Sequence, residues 1–179
     1  MTLEERAKQF AARAHGSIDQ RRKYTNEPYI NHPAAVVELV KSVPHTPEMI
    51  AAAWLHDTVE DTPTTNAQIA SEFGPHVALL VSMLTDVSRP DDGVRKVRKA
   101  LDRAHTALAS PEAKTIKLAD LIDNSRSIVE RDPRFAEVYL EEKRLLLDVL
   151  AEGDPSLWAA ANDMVRSAKM AKLKGEQGR

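Results

Sequence analysis

The stretch Trp54–Thr62, WLHDTVEDT, places four titratable side chains within six positions, directly after the apolar run MIAAAWL (49–55). An apolar run opened by Pro47 and closed by polar residues predicts a buried helix from about Pro47 to His56 or a little beyond. The crowded acids Asp57, Glu60 and Asp61 repel one another at the end of that helix. Such repulsion costs stability unless a cation or a proton compensates. Imidazole and carboxylate both bind divalent metals. Adjacent helical residues diverge by about 100°, so His56 and Asp57 converge on one ion only at a helix end, with more ligands from elsewhere. Glu60 and Asp61 lie i+3 and i+4 from Asp57, and a continued helix puts all three on one face.

Helical periodicity extends outward from this stretch in both directions. Leu3, Ala7, Phe10, Ala11 and Ala14 share a face of a first helix that ends at His15-Gly16. Residues 17–31 read as an ordered polar loop, and Pro33 suits the first position of a second helix carrying Val36, Val37, Leu39, Val40 and Val43. Beyond Pro63, Thr64 or Thr65 can cap a helix closed by Gly74, and Pro75 opens another through Leu84. SRPDDG (88–93) is a turn cluster, followed by helices over about 94–109 and 112–130, then from Asp132-Pro133 and from Asp154-Pro155. No run alternates with period two. The expected fold is therefore all-α, a single helical domain over residues 1–170 with roughly eight to ten helices and a frayed tail at 171–179.

Composition narrows the functional classes. The chain has 179 residues, 42% hydrophobic and 29% charged, enough for one solvated domain with a real core. A formal charge of −2 and the lack of a basic stripe argue against a nucleic-acid polymer as partner. With no cysteine, disulfides, thiolate metal sites and cysteine catalysis are excluded. No apolar run reaches the ~18–20 residues of a membrane span, and the N-terminus has no signal core. The expectation is a soluble, cytoplasmic protein with no membrane partner.

Two more residues sit in settings like that of His56-Asp57: His32, in PYINHP just before a helix, and Asp120, in TIKLADLIDN, an acid within an apolar helical stretch. Taken singly, each has a plainer reading. His32 can satisfy a backbone group at a helix start, Asp120 can sit at a solvated position, and Arg22 and Lys23 can belong to a solvated basic loop. The conjunction of His, then His-Asp, then Asp favours a metal site.

Three segments, RRKYTNEPYINHP (21–33), WLHDTVEDT (54–62) and KLADLIDNSR (117–126), closely resemble motifs of the Rel/Spo hydrolase domain within the HD superfamily of metal-dependent phosphohydrolases. The chain is similar to a stand-alone small alarmone hydrolase related to the metazoan enzyme. The resemblance covers about residues 3–150 and leaves no room in the chain for the synthetase domain of the long Rel/Spo proteins. It implies a single HD-domain helical bundle in which His32, His56, Asp57 and Asp120 hold one divalent metal, usually Mn2+ in that family. It implies that Glu60 and Asp61 position or deprotonate the attacking water. Arg22 and Lys23 match the basic pair that stacks on a purine or pairs with phosphates. Tyr29 packs between loop and core, with a hydroxyl able to reach the nucleotide. Asn124 and Ser127 share the face of Asp120; the family's asparagine contacts the ribose or phosphate region. Lys117 reaches a phosphate or caps surface charge.

The implied reaction is hydrolysis of the small anionic nucleotide (p)ppGpp at its 3′-pyrophosphate, giving GDP or GTP plus pyrophosphate. Alternatives are an HD phosphohydrolase acting on ppApp, the 2′-phosphate of NADPH or a simple nucleotide, a non-catalytic nucleotide sensor, or a structural helical module. Four departures from the family pattern bear on the substrate. Leu121 stands where Arg or Lys is common, Asp123 adds a negative charge that is expected to point away or pair with Arg126, and Tyr24 and Asn26 replace a glycine-bearing turn.

Overall fold

The computed structural model describes the backbone of residues 1–131 and 133–177, with side chains for 1–128, 131 and 138–167. Ten α-helices account for it: α1 (Leu3–Ser17), α2 (Asn31–Lys41), α3 (Pro47–Leu55), α4 (Thr58–Asp61), α5 (Asn66–Phe73), α6 (Pro75–Leu84), α7 (Arg95–Ala107), α8 (Pro111–Arg131), α9 (Pro133–Val149) and α10 (Pro155–Gln177). A short 3-10 turn, Pro90–Asp92, occupies the expected turn cluster. Among the described residues there is no strand, only an isolated antiparallel bridge between Arg21 and Pro28. The last helix continues to Gln177, through most of the segment read from sequence as a tail.

Local chemistry explains where the helices begin. Thr2 caps α1, and Glu5 returns the bond to the Thr2 backbone. Thr46 accepts from the Met49 amide in front of Pro47, and Thr65 forms a second capping box with Gln68. Gly74, at φ 91°, turns the chain between α5 and α6, a conformation that L side chains resist.

Helix α3 is the centre of the molecule. All seven residues from Met49 to Leu55 are buried, and the helix packs against α1, α2, α6 and α8. A helix apolar on every side is one that neighbours surround. α8 carries the next part of the core, with Ile116, Leu118, Ala119, Leu121 and Ile122 all buried. It packs against α2, α3, α6, α9 and α10. The starts of α2 and α4, the end of α3 and the middle of α8 therefore come together.

α3 ends one residue short of His56, close to the expected end, and the chain does not run on as one helix through WLHDTVEDT. α3 stops at Leu55 and α4 starts at Thr58. The Thr58 hydroxyl donates to the Leu55 carbonyl at 2.7 Å, and His56 Nδ1 lies 2.8 Å from the Ala53 carbonyl. Side chains thus satisfy carbonyls that the next helical turn would have used. The break leaves His56 and Asp57 at a helix end, where adjacent side chains can converge.

Candidate metal and nucleotide site

Four side chains meet at that break. His32 comes from the first turn of α2, His56 follows α3, Asp57 precedes α4, and Asp120 lies mid-way along α8. Ligand atoms of His32, His56 and Asp57 all lie within 4.8 Å of one another. His32 Nε2 is 3.6 Å from Asp57 Oδ2 and 3.2 Å from Asp120 Oδ1. His56 Nε2 is 3.0 Å from Asp57 Oδ2 and 3.9 Å from Asp120 Oδ1. Both imidazoles are buried.

The hydrogen bonds around this group point inward. His32 Nδ1 is 2.7 Å from Asp123 Oδ2, and His56 Nδ1 is held by the Ala53 carbonyl. Each Nδ1 is thereby engaged, and each Nε2 is left buried without a hydrogen-bond partner. A buried polar atom with no partner costs on the order of 1–3 kcal/mol. Two of them facing the same carboxylates are what a divalent cation would satisfy, so the donor set of two imidazoles and two carboxylates fits one. Asp57 also accepts from the Tyr29 hydroxyl at 2.6 Å, and Asp120 accepts from Asn124 Nδ2 at 2.6 Å and pairs with Lys117 at 3.2 Å.

Electrostatics tell the same story without the metal. Burial opposes charge on His32, yet Asp120 and Asp123 beside it raise its pKa to about 9. Burial likewise opposes charge on His56, and Asp57 wins and raises it. Burial disfavours the Asp57 and Asp120 carboxylates, but His56 and His32 hold Asp57 below the usual range, and Lys117 with His32 does so for Asp120. Protons on the imidazoles here do the compensating that a cation would do when bound.

Glu60 and Asp61 flank this group on α4. Asp61 accepts from Gln20 Nε2 at 2.8 Å, and Gln20 Oε1 lies 2.7 Å from Nδ1 of the buried His15. Glu60 Oε2 accepts from the Asp86 backbone amide at 3.1 Å. Burial of the Glu60 carboxyl, then Asp86 and Asp57 nearby, raise its pKa to about 7, against the Asp86 amide and Lys117.

Two cavities share part of their lining, and the first of them opens on the cluster. The first, about 230 Å³, is lined by Asp57, Glu60, Asp61, Asp120, Lys117 and Lys99 among others. The second, about 390 Å³, is lined by Arg22, Lys23, Tyr24, Tyr139, Ser127 and Ile128 among others. Tyr29, Asn124 and Lys143 line both.

Not every expected substrate residue is free to act as expected. Arg22 is tied to Asp123 at 2.9 Å and to Ser127 Oγ at 3.0 Å, so its guanidinium edge is already occupied. Asp123 pairs with Arg22 and His32, not with the exposed Arg126. The Tyr29 hydroxyl is spent on Asp57. Lys117 is no surface cap: it is largely buried and pairs with Asp120 of the cluster. Leu121 is buried in the core and belongs to neither cavity lining. Asn26 adopts φ 57°, the left-handed conformation a glycine would otherwise supply, and asparagine tolerates it better than most residues.

The sequence reading did not pick out His15, Gln20, Asp86, Lys99 or Lys143. A signal existed for His15. It continues the i, i+4 series of Ala7 and Ala11 along the buried face of α1, where a polar side chain needs a partner. Lys143 carried none, since α9 reads from sequence as an ordinary amphipathic helix.

The sequence pattern of the HD domain matches residues 7–151, which include all four residues of the cluster. The chain belongs to the HD-domain family. It is 40% identical over 126 residues to human guanosine-3′,5′-bis(diphosphate) 3′-pyrophosphohydrolase MESH1, a match covering 68% of this chain and 67% of that protein. A protein of the same enzyme name from Aquifex aeolicus is 35% identical over 140 residues, 78% of this chain, but the match spans only 18% of its length. Among solved structures, a metazoan orthologue of SpoT that hydrolyses ppGpp superposes with a TM-score of 0.81 at 30% identity, covering 93% of this chain and 96% of that one. These similarities agree with the all-α HD-domain architecture. Among the described residues, no helix of this HD domain is long and apolar enough to cross a membrane.

Proposed function

We propose that this HD domain is a metal-dependent phosphohydrolase that cleaves the 3′-pyrophosphate of (p)ppGpp, giving GDP or GTP and pyrophosphate. The observation that carries the metal-dependent part is the pair of buried, unpartnered Nε2 atoms of His32 and His56 beside Asp57 and Asp120. The substrate part rests on the likeness to MESH1 and to the metazoan SpoT orthologue.

His32, His56, Asp57 and Asp120 would hold the cation, with Mn2+ the expected ion. When bound, a divalent ion would supply Lewis-acid polarisation of a phosphate oxygen and a lowered pKa for bound water. Glu60 and Asp61, on the cavity wall beside the cluster, orient the attacking water and take its proton. Gln20 fixes the Asp61 carboxylate for that task. Asn124, shared by both cavities, would contact the ribose or phosphate region of the nucleotide, and Lys117 would balance the charge near Asp120. Lys23 and Tyr24, with Arg22 held in place by Asp123, wall the cavity that takes the nucleoside. Water adds to the phosphorus bonded to O3′, the P–O3′ bond breaks, and O3′ leaves with a proton as the product hydroxyl. Positioning and charge stabilisation supply most of the catalysis, as in phosphoryl transfer generally.

The test is hydrolysis of ppGpp by purified protein with Mn2+, products resolved by ion exchange, with ppApp and NADPH in parallel and Asp57→Ala as blank. Release of GDP and pyrophosphate faster than phosphate release from NADPH supports the reading. Turnover of NADPH or ppApp but not ppGpp would leave the metal chemistry and overturn the substrate.

A further inference from the structure

The first cavity is acidic. Seven carboxylates line it, Asp57, Glu60, Asp61, Asp86, Asp102, Asp120 and Glu142, against four cations, Lys99, Arg103, Lys117 and Lys143. Two of those cations are spent inside the protein: Lys99 pairs with Asp86 at 2.7 Å, and Lys117 with Asp120 at 3.2 Å. A bound divalent ion offsets part of the excess, at the metal end only. A nucleotide with several phosphates therefore needs another cation farther along.

Lys143 is placed for that. It lines both cavities, so it stands where a ligand reaching from one into the other must pass. It is half-buried, and among the described residues no carboxylate lies within ion-pairing distance of it. Its ammonium sits 4.8 Å from the centre of the Tyr139 ring, a contact that fixes its direction while leaving its hydrogen-bond donors for a ligand. Burial, together with Lys117 and Lys99, lowers its pKa to about 8 against the opposing pull of Asp120 and Asp86.

We propose that Lys143 binds the non-scissile phosphates of the nucleotide at the junction of the two cavities. It thereby makes the enzyme select nucleotides phosphorylated on both sides of the ribose over simple phosphoanhydrides. The proposal rests on the nucleotide reading of the site above. Metal-side ligands alone, such as pyrophosphate, do not need it.

The test compares the Mn2+-loaded protein with Lys143→Met and Lys143→Arg by calorimetric titration with GDP and, separately, with inorganic pyrophosphate. Loss of a charge-assisted hydrogen bond predicts GDP binding weakened about 10-fold or more in Lys143→Met, pyrophosphate affinity unchanged, and recovery of most GDP affinity in Lys143→Arg. In ppGpp hydrolysis Lys143→Met raises KM and leaves kcat nearly intact. Unchanged GDP affinity, no GDP binding by the parent protein, or equal weakening of both ligands overturns the proposal. Dependence of GDP binding on Lys143 without ppGpp turnover would sink the hydrolase reading and leave this inference standing. Turnover insensitive to Lys143 would do the reverse.

Discussion

Asp123 Oδ2 lies 2.7 Å from His32 Nδ1, and the same oxygen accepts from Arg22 Nη1 at 2.9 Å. One carboxylate thus orients an imidazole of the candidate metal site and pins an arginine that lines the second cavity. A carboxylate on the far nitrogen of a ligating histidine fixes its tautomer and raises its basicity. Asp123→Asn is expected to weaken Mn2+ affinity about 10- to 100-fold, read by titration of the metal-stripped protein. Unchanged affinity would show that His32 does not depend on this contact.

The Gln20–Asp61 bond predicts a different kind of defect. Gln20→Leu removes the donor that holds Asp61 and leaves the buried His15 without its partner. The expected result is a fall in kcat of about 10-fold, the lower end of what misplacing an acid–base group costs. Metal affinity stays unchanged, since neither residue is a ligand. A matching loss of metal would mean that the segment had unfolded locally.

Glu60 sets the expected acid limb of the rate. Burial, then Asp86 and Asp57, raise its carboxyl from 4.5 to about 7. A raised value means that the folded protein holds a proton there, and the associated stability is lost as pH rises from 4.5 through 7 in the metal-free state. Activity needs the charged form, so the rate climbs with pH. A cation beside Asp57 draws this limb below 7. Glu60→Gln should keep the metal, abolish the limb and lower kcat by about 100-fold. A pH–rate profile of the two proteins checks this, and full activity in the variant would remove Glu60 from the chemistry.

Gly153 gives a prediction about stability alone. A Cβ there would meet Leu118 Cδ1 at 2.8 Å and the Lys114 carbonyl carbon at 3.1 Å, where the turn before α10 lies against α8. Gly153→Ala should cost about 1–3 kcal/mol of overpacking in urea unfolding. Of the four cluster residues only Asp120 lies on α8, and it lines the first cavity while Leu118 does not, so metal affinity per folded molecule should not change.

The helices and the convergence of the His/Asp cluster were legible in the sequence for identifiable reasons. Prolines 33, 47, 75, 111, 133 and 155 each stand at or near a helix start, and the seven apolar residues before His56 could form only a surrounded helix. His32, His56, Asp57 and Asp120 stand in local motifs that survive without knowledge of packing. What could not be read were pairings across long separations. The Arg22–Asp123 pair spans 101 positions, and Gln20 meets Asp61 across 41. Asp123 looked like surplus charge near a polyphosphate because nothing local reveals that His32 and Arg22 share it. The approximate end of α3 was legible, but the fresh start of α4 at Thr58 was not, because it depends on two side chains, His56 and Thr58, turning back on the carbonyls behind them.

The central claim is that one divalent ion, held by His32, His56, Asp57 and Asp120, hydrolyses (p)ppGpp. Titrating Mn2+ into metal-stripped protein while following pyrophosphate release from ppGpp tests it most directly. The account predicts no release without metal, a rate that saturates at about one ion per chain, and no release from Asp120→Ala at any such level. Release at full rate from the stripped protein, or from Asp120→Ala at one ion per chain, would contradict it.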